Sequence, residues 1–103
     1  MDAVVDRVVG VAPDKPVFVL EFGATLGNAS LWVDAALSDL LGGRWPAVRG
    51  FSRWNEMWLN DDVPAHDTNM RVQDIPGVAA VFQAHLADPA LVDRPILPAG
   101  PSW

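Results

Sequence analysis

Val17–Phe22 reads VFVLEF, and this run constrains the fold more than any other part of the chain. In an extended conformation Phe18, Leu20 and Phe22 share one face while Val17 and Val19 take the other, and both faces stay apolar until Glu21. A strand apolar on both sides is expected at the centre of a sheet, covered above and below. The next apolar pattern is helical. At 100° per residue Trp32, Val33, Ala36, Leu37, Leu40 and Leu41 fall on one stripe, opposite Asp34, Ser38 and Asp39. Asn28 or Ser30 supplies the cap, and Gly42-Gly43 a left-handed terminator. A strand followed by a helix over 29–41 normally returns to a parallel neighbour, for which 47–51 is the candidate.

Asp74 and Pro76 open a second helix over roughly 76–87. There Val78, Val81, Phe82, His85 and Leu86 follow the i, i+3, i+4, i+7, i+8 pattern, and Asp88-Pro89 stops it. Val4, Val5, Val8 and Val9 suit a short helix ending at Gly10, so 1–15 forms an N-terminal helical or extended arm. Residues 52–60 (SRWNEMWLN) fit two periods, and the spacing of Phe51, Trp54 and Trp58 favours a short helix. Residues 60–74 read as a polar loop with a brief extended piece at 70–72. Residues 94–98 are extended, confined to an edge by their prolines, and 99–103 form a loose tail. With 103 residues, half of them hydrophobic, the chain is one domain with a real core.

The fold class expected is therefore α/β: a small, mainly parallel sheet carrying the helices at 29–41 and 76–87. The competing layout is an α+β ferredoxin-like βαββαβ, with strands at 17–22, 47–53, 56–59 and 94–98, an outline similar to small cyclases and monooxygenases acting on aromatic polyketides.

Thirteen acids against seven bases give a net charge of −6, which repels a phosphate backbone, so nucleic acid is not an expected partner. No apolar run is long enough to span a bilayer, and the acidic start lacks signal-peptide character. Together these predict a soluble, cytoplasmic domain without a membrane partner. The chain has no cysteine, which removes disulfides, thiol catalysis and thiolate metal sites. No serine or threonine sits in a GxSxG elbow.

Four groups of residues carry the candidate chemistry. His85 falls inside an apolar stripe; it is either a general base lining a pocket or a core histidine satisfied by a backbone carbonyl. Asp61, Asp62, His66, Asp67 and Asn69 crowd one loop, with His66 and Asp67 the conceivable metal ligands. Their spacing matches neither a calcium loop nor an HExxH helix, so a solvated acidic loop is the reading preferred. The turn Gly23-Ala24-Thr25-Leu26-Gly27-Asn28 has the position of an anion cradle but no phosphate-loop signature; its glycines are read as permitting a tight bend. Trp45, Trp54 and Trp58 flank Arg49 and Arg53, an arrangement for cation–π contacts and for a partner surface, or a satellite cluster beneath the loop.

Ala87–Leu97 (ADPALVDRPIL) resembles a segment of arsenate-reductase-like proteins of the thioredoxin-like fold, where a helix is followed by an Arg-Pro-apolar strand. The resemblance implies a cis bond at Arg94-Pro95 facing the first loop, with 17–41 as the first βα unit. The family's thiol loop would fall near 23–30, where this chain has no cysteine, so reductase chemistry does not carry over.

The function expected is a non-redox, acidic binding or regulatory module without a cofactor. It would act through protein–protein contacts by Arg49, Arg53, Trp54, Asn55, Trp58, Asp61 and Asp62 on a partner with a basic patch. The alternative is a small enzyme of cyclase, isomerase or cofactor-free monooxygenase type. It would act on an aromatic or polyketide-like molecule, with His85 as base and Arg53 or Asn55 orienting a carbonyl.

Overall fold

The computed structural model describes residues 1–25 and 27–92. It is a mixture of helix and strand: α1 (Asp2–Val11), β1 (Val17–Phe22), α2 (Ala29–Leu41), β2 (Val48–Arg53), β3 (Met57–Trp58), a 3-10 turn (Pro64–His66), β4 (Thr68–Asn69) and α3 (Val78–His85). The expected strand 94–98, the Arg94-Pro95 bond and the tail 99–103 lie outside the described residues.

β1 and β2 are parallel neighbours joined through α2, the βαβ return that the sequence pattern predicts. Their register runs Val17 to Val48, Phe18 to Gly50, Val19 to Phe51 and Phe22 to Arg53. One extra residue sits on β2 after the first pair and one on β1 before the last. Gly50 is required by a close approach: a Cβ there would fall 2.9 Å from two carbons of the Phe18 ring.

The core lies on one side of this strand pair. Ala29, Val33 and Leu37 of α2 and Val78 of α3 are buried, and Phe22, Phe51, Val72, Ile75, Val81 and Phe82 pack against them. The other side is open, with Phe18 57% and Leu20 73% exposed. The expectation of a central strand roofed on both faces is thus overturned. Among the described residues the sheet has two strands, and α2 and α3 sit on the same face.

Residues 52–60 are not helical. β2 continues to Arg53, and Met57-Trp58 forms a strand. β3 pairs antiparallel with β4, Met57 opposite Asn69 and Trp58 opposite Thr68, in a sheet separate from β1 and β2. Trp54 and Trp58, four apart, fit a helix and a strand pair equally well, and cross-strand pairing decided between them. The extended piece falls at 68–69 rather than 70–72.

α3 begins two residues later than the pattern predicts, because Gly77 takes a left-handed φ of 79°. A Cβ on Gly77 would lie 3.3 Å from Cβ of Ser30, so the start of α3 is pressed against the start of α2. α2 begins after Asn28 as expected, although the Asn28 side chain makes no capping hydrogen bond. The N-terminal arm is α1, anchored by buried Val5 and by Asp2, which accepts from Nε and Nη2 of Arg44 and Nε1 of Trp45 at 3.1, 2.8 and 2.8 Å. No helix among the described residues is long and apolar enough to cross a membrane.

Candidate functional site

Parallel strands deliver their carboxyl ends to one side, and loops leaving that side are where α/β folds place ligands. Here β1 ends at Phe22 and β2 at Arg53. Arg53 donates from Nη2 to the Met70 carbonyl at 2.7 Å and from Nη1 to the Phe22 carbonyl at 3.4 Å. Its guanidinium stands 6.0 Å from the centre of the Phe22 ring and 5.8 Å from that of Phe82. Burial lowers its pKa from the ordinary arginine value. Among the described residues Arg53 forms no ion pair, so it fastens the 70 loop to the strand ends through carbonyls and ring faces alone.

Two concavities open over this clamp. One, of about 370 Å³, is walled by Glu21, Phe22, Gly23, Trp54, Trp58 and Met70. The other, of about 500 Å³, is walled by Gly23, Ala24, Thr25, Asn28, Trp32 and Met70. They adjoin at Gly23 and Met70, and together they make up the groove at the strand ends. Gly23 lets them approach, since a Cβ there would displace Met70 Sδ and come within 2.9 Å of Arg53 Nη1. Trp54 and Trp58 meet edge to face with centroids 5.6 Å apart. Trp58 is 36% and Trp32 45% exposed, so the groove presents indole surface to solvent. Nε of Arg53 and Nε1 of Trp54 are buried without an acceptor, two neighbouring donors each costing about 1–3 kcal/mol while unsatisfied.

No family model, curated protein or solved structure matches the chain.

The residues singled out in the sequence separate into several places. Arg53, Trp54 and Trp58 meet at the groove. Asn55 is a brace beside it, its Oδ1 accepting from the Val72 amide at 2.7 Å. Asp61 and Asp62 are exposed on the loop beyond Trp58. Arg49 faces away and lines two other depressions, one with Leu40, Leu41 and Leu91 and one with Val9, Pro13 and Lys15. The arginine over Trp45 is Arg44, at 5.4 Å from the ring centre, so the expected Trp/Arg cluster is divided.

His66 Nδ1 pairs with Asp61 Oδ2 at 2.7 Å, and the Asp61 carboxyl is held below its ordinary value first by that bond and then by the Val63 amide. Asp67 instead accepts from the Asn60 amide at 3.3 Å, and Asn60 Nδ2 donates to the His66 carbonyl and to Thr68 Oγ1. Among the described residues no three His, Asp or Glu side chains converge as a metal site would require. The loop is closed by its own hydrogen bonds.

His85 Nε2 lies 2.8 Å from Asp34 Oδ1, joining α3 to α2. Its partner is therefore a carboxylate across a helix interface rather than a backbone carbonyl. His85 lines none of the five cavities described above and below.

Sequence reasoning missed Trp32 and Met70 as groove residues. Trp32 reads as core because it lies on the apolar stripe of α2; its place at the margin of that stripe was the available signal. Met70 sits in a polar loop with no periodicity to mark it.

Proposed function

We propose that the chain is a non-redox binding module that holds a basic, partly apolar segment of a partner protein in the groove at the strand ends. The observation that carries this reading is the edge-to-face pair of half-buried Trp54 and exposed Trp58 beside Glu21 in a concavity of about 370 Å³. Indole faces attract guanidinium and ammonium groups, and a neighbouring carboxylate adds to that attraction. Glu56, Asp61 and Asp62 are exposed on the segment that carries Trp58, and the chain as a whole bears −6. A cationic partner is therefore drawn by the local and the overall field.

A thioredoxin-like arrangement belongs to the same proposal. Its support is the parallel β1–α2–β2 unit with α3 beside α2.

The test is a fluorescence titration with two acetylated hexapeptides, one alternating arginine with leucine and one alternating glutamate with leucine. The basic peptide is expected to bind with an affinity that falls as salt rises. Trp58→Ala should weaken it by about 2 kcal/mol, the range for an aromatic anchor. Equal binding of both peptides, or full binding by Trp58→Ala, would refute the reading.

A further inference from the structure

A separate cavity lies on the far side of Phe22. It measures about 270 Å³ and is walled by Phe22 and Trp32 on one flank and by Trp45 on the other. Ala35 and Ala36 of α2 line it between the rings, and Met1 and Asp2, the first residue of α1, stand at its edge. Trp45 is only 8% exposed, whereas Trp32 is 45% exposed and tilted 43° against Phe22 at 6.0 Å. Both alanines lie where longer side chains on α2 would fill the space. A one-turn helix face with two alanines between three aromatic rings leaves room for a flat guest.

The polar groups at the mouth are already paired. Both oxygens of Asp2 accept from Arg44 or Trp45, and Asp39 Oδ2 accepts from Arg44 Nη1 at 2.9 Å. Arg44 therefore faces two carboxylates and is not free to recruit an anion. What the cavity offers is apolar, aromatic wall. An enclosed apolar cavity of about 150 Å³ suffices for benzene; this one is larger and open to solvent at Trp32 and Ala35, with room for one or two fused rings between its aromatic walls.

We propose that this cavity is a second binding site, for an uncharged planar compound of one or two fused rings, bordered by Asp2 at the start of α1. It shares the Phe22 and Trp32 walls with the groove but takes nothing from Trp54, Trp58 or the 60–67 loop, so a change at Trp58 distinguishes the two sites.

Indole is the probe, titrated into the full chain and followed by the indole N–H resonances in a proton–nitrogen spectrum. The expected result is a saturable shift, largest at Trp45 Nε1–H, with intermolecular NOEs from the probe to the Ala35 and Ala36 methyls. Ala35→Leu, on the exposed flank of α2, should fill the space and weaken binding by about tenfold or more, the effect of lost fit in a pocket. Trp58→Ala should leave it unchanged. The NOEs test the site in the unaltered chain should Ala35→Leu fail to fold. No saturable shift, absence of those NOEs, or binding lost in Trp58→Ala and kept in Ala35→Leu would overturn the proposal. The last result would move the indole into the groove and leave the peptide reading standing.

Discussion

Leu37 and Leu20 are the same residue type on adjoining elements, and their environments set the sharpest test of a sheet covered on one side. Leu37 is 2% exposed between α2 and the strands, while Leu20 is 73% exposed on the opposite face of β1. Truncating a fully buried leucine removes its transfer free energy and leaves a cavity, so Leu37→Ala should cost about 3 kcal/mol. Leu20 has only about a quarter of its surface covered. Full burial of such a side chain is worth about 1.5–3 kcal/mol, so Leu20→Ala should cost about 0.5 kcal/mol. Urea unfolding followed by the fluorescence of the indoles, Trp45 being the most enclosed of the described ones, gives both values if the slope m stays constant. Equal losses, or more than about 2 kcal/mol for Leu20→Ala, would mean that something covers the outer face of β1, and the one-sided architecture would fall. Repeating the measurement over a range of protein concentrations separates cover by the chain itself from cover by another copy.

Asp2 is held below its ordinary value of 3.8, first by the bond from Trp45 and then by Arg44. The folded value lies below the unfolded one, so its contribution is present above 3.8 and disappears as pH falls through the folded value. The native chain should melt above Asp2→Asn at pH 6, with the gap closing below 3.8; a gap that persists at the acid end would contradict this. Gly77→Ala places a Cβ on a left-handed backbone 3.3 Å from Ser30, and chemical denaturation should show a loss of about 1–2 kcal/mol. Asn55→Ala removes the acceptor of the Val72 amide and should lower stability by about 1 kcal/mol. Hydrogen exchange at Val72 should accelerate with it, and unchanged protection there would show that the bond is not formed in solution.

The elements most legible in the sequence were those whose apolar spacing fits a single period. α2 has the bounds 29–41 that its stripe and its glycines indicate, and β1 occupies the residues of its apolar run. What periodicity could not supply was the destination of each face. Phe18 and Leu20 are as apolar as Val33, yet they stand in solvent, because apolar character permits burial without requiring it. The same limit hid the groove. Spacing alone places Trp32 in the core stripe of α2 and sets Arg49 beside Arg53, although the two arginines face different ways. Contacts between distant residues left no local trace at all: His85 and Asp34 are 51 positions apart, and Arg44 and Asp2 are 42 apart.

Phe22 shows why the two proposed sites belong to one piece of structure. As the last residue of β1 it packs into the core against Phe51, with ring centres 5.7 Å apart, and lies under the Arg53 guanidinium. It also walls both the Trp54–Trp58 concavity and the cavity beside Trp45. A side chain held by the core on one side is rigid on the other, which is what a binding surface needs if ordering it is not to consume the affinity. The strand end thus supplies the fixed wall, while the chemistry of each site comes from the elements brought up to it. On one side these are the indoles after β2, with acidic neighbours. On the other they are the alanine face of α2 and Asp2 at the start of α1. The arginines divide in the same way: Arg53 lies beneath the groove among ring faces and carbonyls, and Arg44 is occupied by Asp2 and Asp39 at the mouth of the cavity.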